Sequence, residues 1–232
     1  MSKIPKLSLD QPLPDPRHRN LLWISAQTLL QNLFVVWLNY RARGQEQLDR
    51  VSGALLLINH QSHLDPLLVG LSLRRPISYV ARHNLFPVPF VGWVLRRTYV
   101  MPLNQQRPGT VLIRECVRRL NHGFLVGIFP EGSRTRDGNV APLKPGFTTI
   151  LRRTEVPVFP VGVAGGFQVF PRGSKFIKPG VVRVVYGKPF TSQELKPLLA
   201  RDREPELLDL VRRRIIECYQ EAEHWRQLAR KC

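Results

Sequence analysis

Residues 54–71 read ALLLINHQSHLDPLLVGL, and this stretch decides the fold. Its first apolar run is typical of a buried strand, and its second is typical of the core face of a helix. Asp65 is predicted to be the helix N-cap and Pro66 the first helical residue. The polar residues between the two runs should therefore form a loop. The loop places His60 and Asp65 where a strand passes into a helix, which is where α/β folds bind their ligands.

His60 and Asp65 are candidates for general base catalysis. A carboxylate bound to one imidazole nitrogen fixes the tautomer and leaves the other nitrogen to take a proton from a hydroxyl. A spacing of five residues would turn the two side chains apart within one helix, but a loop allows them to meet. The alternative is that His60 only satisfies a carbonyl at the strand end, and so short a pattern does not decide between the two.

Composition restricts the class of protein. The 232 residues include 35 Lys and Arg against 17 Asp and Glu, a formal net charge of +18. The length suits one large domain or one domain with an appendage. So basic a chain predicts an acidic partner, which could be nucleic acid, an anionic bilayer or an acidic protein. Cys116, Cys218 and Cys232 lack Cys-x-x-Cys spacing. They indicate neither a disulfide framework nor a structural zinc site, and they favour a reducing compartment.

The chain is predicted to divide into residues 1–44, an arm followed by a membrane-surface helix, and a domain over residues 45–232 that ends in a long helix. Residues 1–20 lack the apolar core of an export signal. Leu21 to Tyr40 approach the length of a membrane span, but six polar residues interrupt them and fall on one side of a helix. The wide apolar face and its tryptophans favour a helix lying in a membrane surface. The alternative is a helix packed on the domain's own core.

Strands and helices alternate beyond the opening stretch, as in a mixed α/β sheet. The pattern predicts strands over residues 77–81, 98–101, 124–129, 156–163 and 180–186. It predicts helices over residues 89–97, 109–122, 146–153 and 204–230, and a short helix capped by Thr191. The predicted fold is therefore a single mixed-sheet α/β domain with an N-terminal amphipathic helix.

A second polar loop follows the predicted strand 124–129. Gly132 lets a ligand approach the backbone closely, and Arg134 presents a planar fork that suits a phosphate. Lys144 adds a cation just before a predicted helix N-terminus, where anions bind. The alternative interpretation is a solvated, charged hairpin.

Four ordered blocks resemble the 1-acyl-glycerol-3-phosphate acyltransferase family of glycerolipid acyltransferases. They are Asn59-His60 with Asp65, FPEGSR at 129–134, KPG at 144–146, and VPVFPV at 156–161. The resemblance covers about residues 45–190. It implies a glycerolipid acyltransferase-like domain that moves an acyl group from acyl-CoA or acyl-carrier protein to the hydroxyl of a lysophospholipid. It also implies work at the cytoplasmic face of a membrane, without a cofactor or a metal.

The resemblance implies roles for individual residues. His60 matches the family's catalytic base and Asp65 its partner. Glu131, Gly132 and Arg134 match the acceptor site, and Arg134 would meet the phosphate. One block departs from the family pattern, because Gln105 stands about where an arginine is usual. Arg107, two residues on, is the candidate substitute, and Lys144 completes the predicted substrate-binding set.

Two other classes of protein share some of these features. A basic nucleic-acid binder would use the same charge, but a recognisable binding module is missing and the aromatic residues are not interleaved with the arginines. A non-catalytic membrane scaffold would have no use for His60 and Asp65. The expected partners are therefore a lipid acceptor, an anionic membrane surface and an acyl-carrier protein rather than nucleic acid. Another lysolipid acceptor stays open.

Overall fold

The computed structural model describes residues 12–82, 87, 99–103 and 109–230. Within these residues a seven-stranded sheet has the order β1-β7-β6-β2-β5-β3-β4. The strands are β1 Arg41–Arg43, β2 Ala54–Ile58, β3 Ile77–Arg82, β4 Met101–Leu103, β5 Leu125–Ile128, β6 Val158–Ala164 and β7 Arg183–Tyr186. Neighbouring strands are parallel except β6 and β7, which are antiparallel. The prediction of a mixed α/β sheet is confirmed.

Seven α-helices accompany the sheet in the described part of the chain. They are α1 Leu21–Trp37, α2 Asp65–Leu71, α3 Gly109–Asn121, α4 Thr148–Leu151, α5 Gly166–Val169, α6 Ser192–Leu195 and α7 Glu204–Leu228. Short 3-10 turns cover Gln45–Arg50, Pro145–Phe147, Lys196–Leu198 and Arg201–Arg203. Thr191 caps α6 as predicted, because its side chain accepts a hydrogen bond from the Glu194 amide while the Glu194 carboxylate binds back to Thr191.

β2 lies at the centre of the sheet, between β6 and β5, and all five of its residues are buried. Leu55 and Leu57 face the core beneath α3, α4 and α7, whereas Leu56 and Ile58 face the core beneath α1 and α2. This alternation follows from the two-residue period of a strand. A continuous apolar run is therefore required, because both faces of the strand are covered.

Several predicted boundaries differ from the structure. The strand predicted over 98–101 is observed as β4 at Met101–Leu103, and the helix predicted over 146–153 is a 3-10 turn followed by the four-residue α4. The helix predicted over 89–97 lies outside the described residues. β1 joins the sheet beside β7. The proposed division of the chain at residue 44 stays a prediction.

α1 is fixed to the domain through one side. Phe34 is only 3% exposed and packs in the core with Leu38 and Tyr40. The Gln27 amide donates to the carbonyls of Leu71 and Leu73 at 3.0 and 2.7 Å. These carbonyls lie at the C-terminal end of α2, where a helix leaves acceptors unsatisfied. A polar part of α1 therefore faces the domain.

The opposite flank of α1 exposes large apolar side chains to solvent. Leu29 is 70% exposed and Val36 83%, with Leu33 and Trp37 about half exposed. These four positions follow helical spacing and form one stripe, which we call the exposed flank of α1. No helix in the described ranges has both the length and the apolar character needed to cross a membrane. The exposed flank is an apolar surface that the domain itself leaves uncovered.

Candidate active site

The candidate site lies at the C-terminal ends of β2, β5 and β6, three adjacent parallel strands. Asn59, directly after β2, joins two of these ends. Its amide nitrogen donates to the Val163 carbonyl at 3.0 Å, and its amide oxygen accepts from the Val163 N–H at 2.7 Å. Asn59 is buried, so these two bonds replace hydrogen bonds that water would otherwise supply. The loop that carries His60 thus starts from a fixed point.

Asp65 holds the loop together around one carboxylate oxygen. Its Oδ2 lies 2.8 Å from Nδ1 of His60 and accepts from the backbone N–H groups of Gln61 and Ser62 at 2.6 and 2.7 Å. Asp65 is fully buried. With Nδ1 protonated and bound to the carboxylate, Nε2 of His60 is left as the acceptor. The structure therefore brings together the two residues that the sequence singled out.

The predicted capping role of Asp65 is wrong. The N-cap of α2 is Leu64 and Asp65 is the first helical residue, so Pro66 is the second helical residue rather than the first. A helix cap would have turned the Asp65 carboxylate towards the helix N–H groups. The carboxylate instead points back into the loop, because two loop amides and the imidazole supply three donors at short distance.

The His60 ring is held on a second side by Phe129, which follows β5. The two rings stack with centroids 4.2 Å apart and planes 27° apart. The His60 carbonyl also accepts from the Thr135 N–H at 2.8 Å. The His60 side chain keeps 18% of its surface exposed. The imidazole therefore has a fixed orientation and keeps part of its surface open to solvent.

Glu131 lies behind His60 and joins the two loops of the site. Its Oε1 accepts from the His60 N–H at 2.7 Å and its Oε2 from the Ala141 N–H at 2.9 Å. The side chain is only 3% exposed. Burial raises the pKa of the Glu131 carboxyl above its usual value, and the two backbone N–H groups oppose that rise. Both of its oxygens are thus engaged by the backbone.

Gly132 and Lys144 lie side by side on the outer side of this loop. Gly132 has a φ of +71°, and a Cβ there would be 2.9 Å from Cδ of Lys144. The positive φ favours glycine at this position, and the lysine side chain occupies the space that a Cβ would take. The Lys144 backbone N–H donates to the Pro130 carbonyl at 2.8 Å, which ties the lysine to the start of the loop. Arg134 is half-buried, and Arg107 lies outside the described residues.

Two polar residues of the His60 loop were not assigned a role from the sequence. The Gln61 amide donates to the Gly138 carbonyl at 2.9 Å and accepts from the Phe167 N–H at 3.3 Å. Ser62 Oγ donates to the Phe170 carbonyl at 2.9 Å. Hydrophobic periodicity carries no signal for such contacts, since their partners lie far away along the chain. Together they fix the loop to the segments that follow β5 and β6.

The buried cysteines do not have the character of nucleophiles. Burial raises the pKa of the Cys116 and Cys218 thiols to about 12, so both are thiols near neutral pH. Within the ranges that the structure describes, no three His, Cys, Asp or Glu side chains are grouped to hold a metal ion. The contact between His60 Nδ1 and the Asp65 carboxylate is an arrangement suited to proton transfer.

The segment that carries the candidate site is similar to known proteins. Residues 39–164 match the family model described as Acyltransferase. The 1-acyl-sn-glycerol-3-phosphate acyltransferase BAT2, chloroplastic, of Brassica napus is 34% identical over 158 residues, which cover 66% of this chain and 46% of the relative. The 1-acyl-sn-glycerol-3-phosphate acyltransferase of Bacillus subtilis is 28% identical over 174 residues, covering 75% of this chain and 84% of the relative. The chain thus spans about half the length of the plant relative.

The crystal structure of the 1-acyl-sn-glycerophosphate (LPA) acyltransferase PlsC from Thermotoga maritima has a similar fold. The TM-score is 0.63 at 24% sequence identity, and the match covers 81% of this chain and 79% of that one. This likeness agrees with the mixed sheet described above. Because the family model covers more than half of the 232 residues and includes His60, Asp65 and the Glu131 loop, the chain belongs to the acyltransferase family.

Proposed function

We propose that this chain transfers a fatty acyl group from a thioester donor to the free hydroxyl of 1-acyl-glycerol-3-phosphate, which yields phosphatidic acid. The donor is acyl-CoA or an acyl-carrier protein. The observation that carries the proposal is the 2.8 Å contact between His60 Nδ1 and the buried Asp65 carboxylate. The names of the similar Brassica napus and Bacillus subtilis proteins support the choice of acceptor.

In the proposed mechanism His60 acts as the base. Its Nε2 removes the proton of the acceptor hydroxyl while the hydroxyl oxygen attacks the thioester carbonyl. Asp65 stabilises the imidazolium, the tetrahedral intermediate collapses, and the departing sulfur takes the proton from His60. A positioned base of this kind contributes about 10²–10⁴-fold to the rate. Direct transfer without an acyl-enzyme agrees with the raised pKa values of the buried cysteines.

The acceptor phosphate is proposed to bind along the loop that carries Gly132, Arg134 and Lys144. A guanidinium fork and an ammonium are suited to a phosphate, and Gly132 opens the space that the lysine occupies. Glu131 belongs to the same loop, and its two backbone contacts hold that loop against His60. Arg107 remains a further candidate for the phosphate.

The chain is proposed to act on the cytoplasmic face of a membrane, as a peripheral or monotopic protein. The exposed flank of α1 supplies apolar area, and the net charge of +18 supplies attraction to anionic lipid. Both features support an anionic bilayer as partner. The acceptor itself is a membrane lipid, so binding there brings the site to its substrate.

A panel of lysolipid acceptors tests the proposal. The purified chain is incubated with an acyl-CoA and, in separate reactions, with 1-acyl-glycerol-3-phosphate or a lysolipid that carries another head group. Release of free thiol and the mass of the lipid product are both measured. We expect thiol release that depends on the phosphate acceptor and a product with the mass of phosphatidic acid. Equal thiol release with and without any acceptor would contradict acyl transfer, and a preference for another head group would reassign the acceptor.

A further inference from the structure

The loop between α5 and β7 contains a largely exposed aromatic side chain and several basic residues. Phe176 is 81% exposed, whereas most large apolar side chains of the domain are buried. Arg172, Lys175 and Lys178 are exposed in the same loop. An apolar tip surrounded by basic residues is the composition that suits the boundary of an anionic bilayer. We call residues 171–178 the Phe176 loop.

The Phe176 loop is ordered by its own hydrogen bonds. The Ser174 N–H donates to the Pro171 carbonyl at 3.1 Å, and Ser174 Oγ donates to the Phe176 carbonyl at 2.8 Å. The Lys178 N–H closes the loop by donating to the Val169 carbonyl at 2.8 Å. The exposure of Phe176 is thus a property of a defined turn that presents the ring outward.

The loop lies directly beside the exposed flank of α1. The Trp37 indole N–H donates to the Ile177 carbonyl at 3.1 Å, and the Gly180 N–H donates to the Trp37 carbonyl at 3.2 Å. Phe176 is the chain neighbour of Ile177, and Val36 is the neighbour of Trp37. The two most exposed apolar side chains in this region, at 81% and 83%, therefore belong to adjoining segments of the chain.

The geometry points to the Phe176 loop as a second membrane-contacting element, in which Phe176 enters the headgroup boundary of an anionic bilayer next to α1. An exposed aromatic ring together with three exposed cations in one loop favours a lipid surface, since a bilayer of acidic lipids combines negative headgroups with an apolar interior. This inference rests on the proposed function at a membrane surface and adds a second point of contact to it.

Two contacts would orient the molecule in a way that one helix cannot. A single surface helix can roll about its own axis, whereas a helix and a neighbouring loop define a plane. The same loop begins next to the catalytic segment, because the Phe170 carbonyl accepts from Ser62 Oγ. The Ser62 N–H in turn binds the Asp65 carboxylate. Docking of the Phe176 loop would thus set the position of the His60 site relative to the lipid.

Site-specific fluorescence tests the contact directly. Phe176→Cys and a control, Leu228→Cys, are made in a Cys232→Ser background and labelled with an environment-sensitive dye; Cys116 and Cys218 are buried. Leu228 is 51% exposed and ends α7, so it is a matched apolar surface position. Vesicles contain phosphatidylcholine and phosphatidylglycerol in equal parts, with or without brominated acyl chains. We expect a blue shift and bromine quenching at position 176 and neither change at position 228.

Binding measurements separate this inference from the proposed function. Phe176→Ala should weaken vesicle affinity roughly tenfold, since the aromatic ring that enters the bilayer is lost. Leu228→Ala should leave the affinity unchanged. Replacing Arg172, Lys175 and Lys178 by Gln should reduce the preference for anionic over neutral vesicles. An intact chain that fails to bind any vesicle would overturn the proposed membrane location and, with it, the second contact, whereas acyl transfer is tested separately by thiol release. A chain that binds with the dye at position 176 still in water, and with Phe176→Ala at parental affinity, would overturn only the second contact.

Discussion

At the scale of single residues, Asp65 places three hydrogen-bond donors on one oxygen and leaves the other against a glycine. Oδ2 receives His60, Gln61 and Ser62, while a Cβ on Gly166 would lie 2.9 Å from Oδ1. The carboxylate that contacts the imidazole is thereby held in place by the loop that carries His60.

The first prediction concerns the base. His60→Ala should lower kcat by about 10²–10⁴-fold, because the hydroxyl then loses its proton acceptor. The matched control is His63→Ala, since His63 is exposed in the same loop. Rates of thiol release and circular dichroism of both variants check the prediction. Equal losses of activity in the two variants would remove His60 from the role of base.

The second prediction concerns the acceptor phosphate. Arg134→Lys should raise the KM for 1-acyl-glycerol-3-phosphate about tenfold, because an ammonium cannot form two parallel hydrogen bonds to one phosphate. The KM for the donor should change little. Arg136→Lys, two residues on and exposed, is the control. If the acceptor KM of Arg134→Lys equals that of the parent, Lys144 and Arg107 become the next candidates for the phosphate.

The third prediction concerns Glu131. Its pKa is raised in the folded protein, so the folded state holds the proton more tightly than the unfolded state. Protonated Glu131 therefore contributes its full stabilisation below about pH 4.3, the ordinary pKa of a glutamate. This stabilisation is lost as the pH rises through the raised pKa of the folded state. Glu131→Gln should remove this pH dependence, which urea unfolding across a pH series measures. It should also lower kcat, since an amide has only one oxygen for the two backbone N–H groups.

A control for Glu131→Gln is available within the molecule. Glu155→Gln alters an exposed carboxyl outside the site. It should leave kcat unchanged and should not reproduce any change in pH dependence seen for Glu131→Gln. If Glu131→Gln keeps parental kcat and the parental pH profile of unfolding, the carboxylate does not position the loop.

At the scale of elements, α1 has two faces in different surroundings. Phe34 and the Gln27 amide attach it to the domain, whereas Leu29, Leu33 and Val36 are exposed. Removing the whole segment would also remove core residues, so deletion cannot separate anchoring from stability. Single substitutions on each face can do so.

The fourth prediction uses these two faces. Changing Leu29, Leu33 and Val36 together to Asp should release the protein from anionic vesicles at any salt concentration, with little change in the midpoint of urea unfolding, because these side chains touch solvent. Phe34→Ala should instead destabilise the fold by about 3–5 kcal/mol, the usual cost of removing a buried ring. Thr28→Asp, also exposed on α1, is the control for added charge. Vesicle sedimentation of the triple variant at parental levels would contradict anchoring by α1.

At the scale of the whole molecule, the sheet brings the site together from distant parts of the chain. The loops after β2, β5 and β6 meet because these strands are parallel neighbours in the order β6-β2-β5. α7 packs closely against β6 on one face of the sheet. A Cβ on Gly162 of β6 would lie 2.2 Å from the backbone of Cys218 in α7, so only glycine allows the helix to approach.

The fifth prediction concerns the charge of the whole molecule. The chain has a net charge of +18. Each Lys or Arg close to an anionic bilayer adds roughly 1 kcal/mol of attraction. Raising the salt concentration should weaken vesicle binding only in part, since screening removes the charge term and leaves the apolar one. Neutral vesicles should show little dependence on salt. Complete release from anionic vesicles in moderate salt would contradict an apolar contribution from α1.

Local patterns in the sequence were enough to predict several features. The apolar run of β2 predicts a strand covered on both faces, since such a run cannot be exposed on either side. The helical spacing of apolar residues along α7 and the capping box at Thr191 likewise depend on residues within a few positions of one another. The ordered blocks around His60 and Glu131 were sufficient to indicate the family. These features depend on neighbours along the chain.

Only the tertiary structure decided the contacts between distant residues. Capping rules predicted Asp65 at the helix N-cap, but loop amides and the imidazole held its carboxylate inside the loop. Glu131 reads as a charged loop residue, and its engagement by the His60 amide, 71 positions away, follows from the pairing of β2 with β5. The placement of the Phe176 loop beside Trp37 depends in the same way on the fold. Hydrogen bonds and packing across the sheet outweigh local preference at these positions, because they satisfy groups that burial has removed from water.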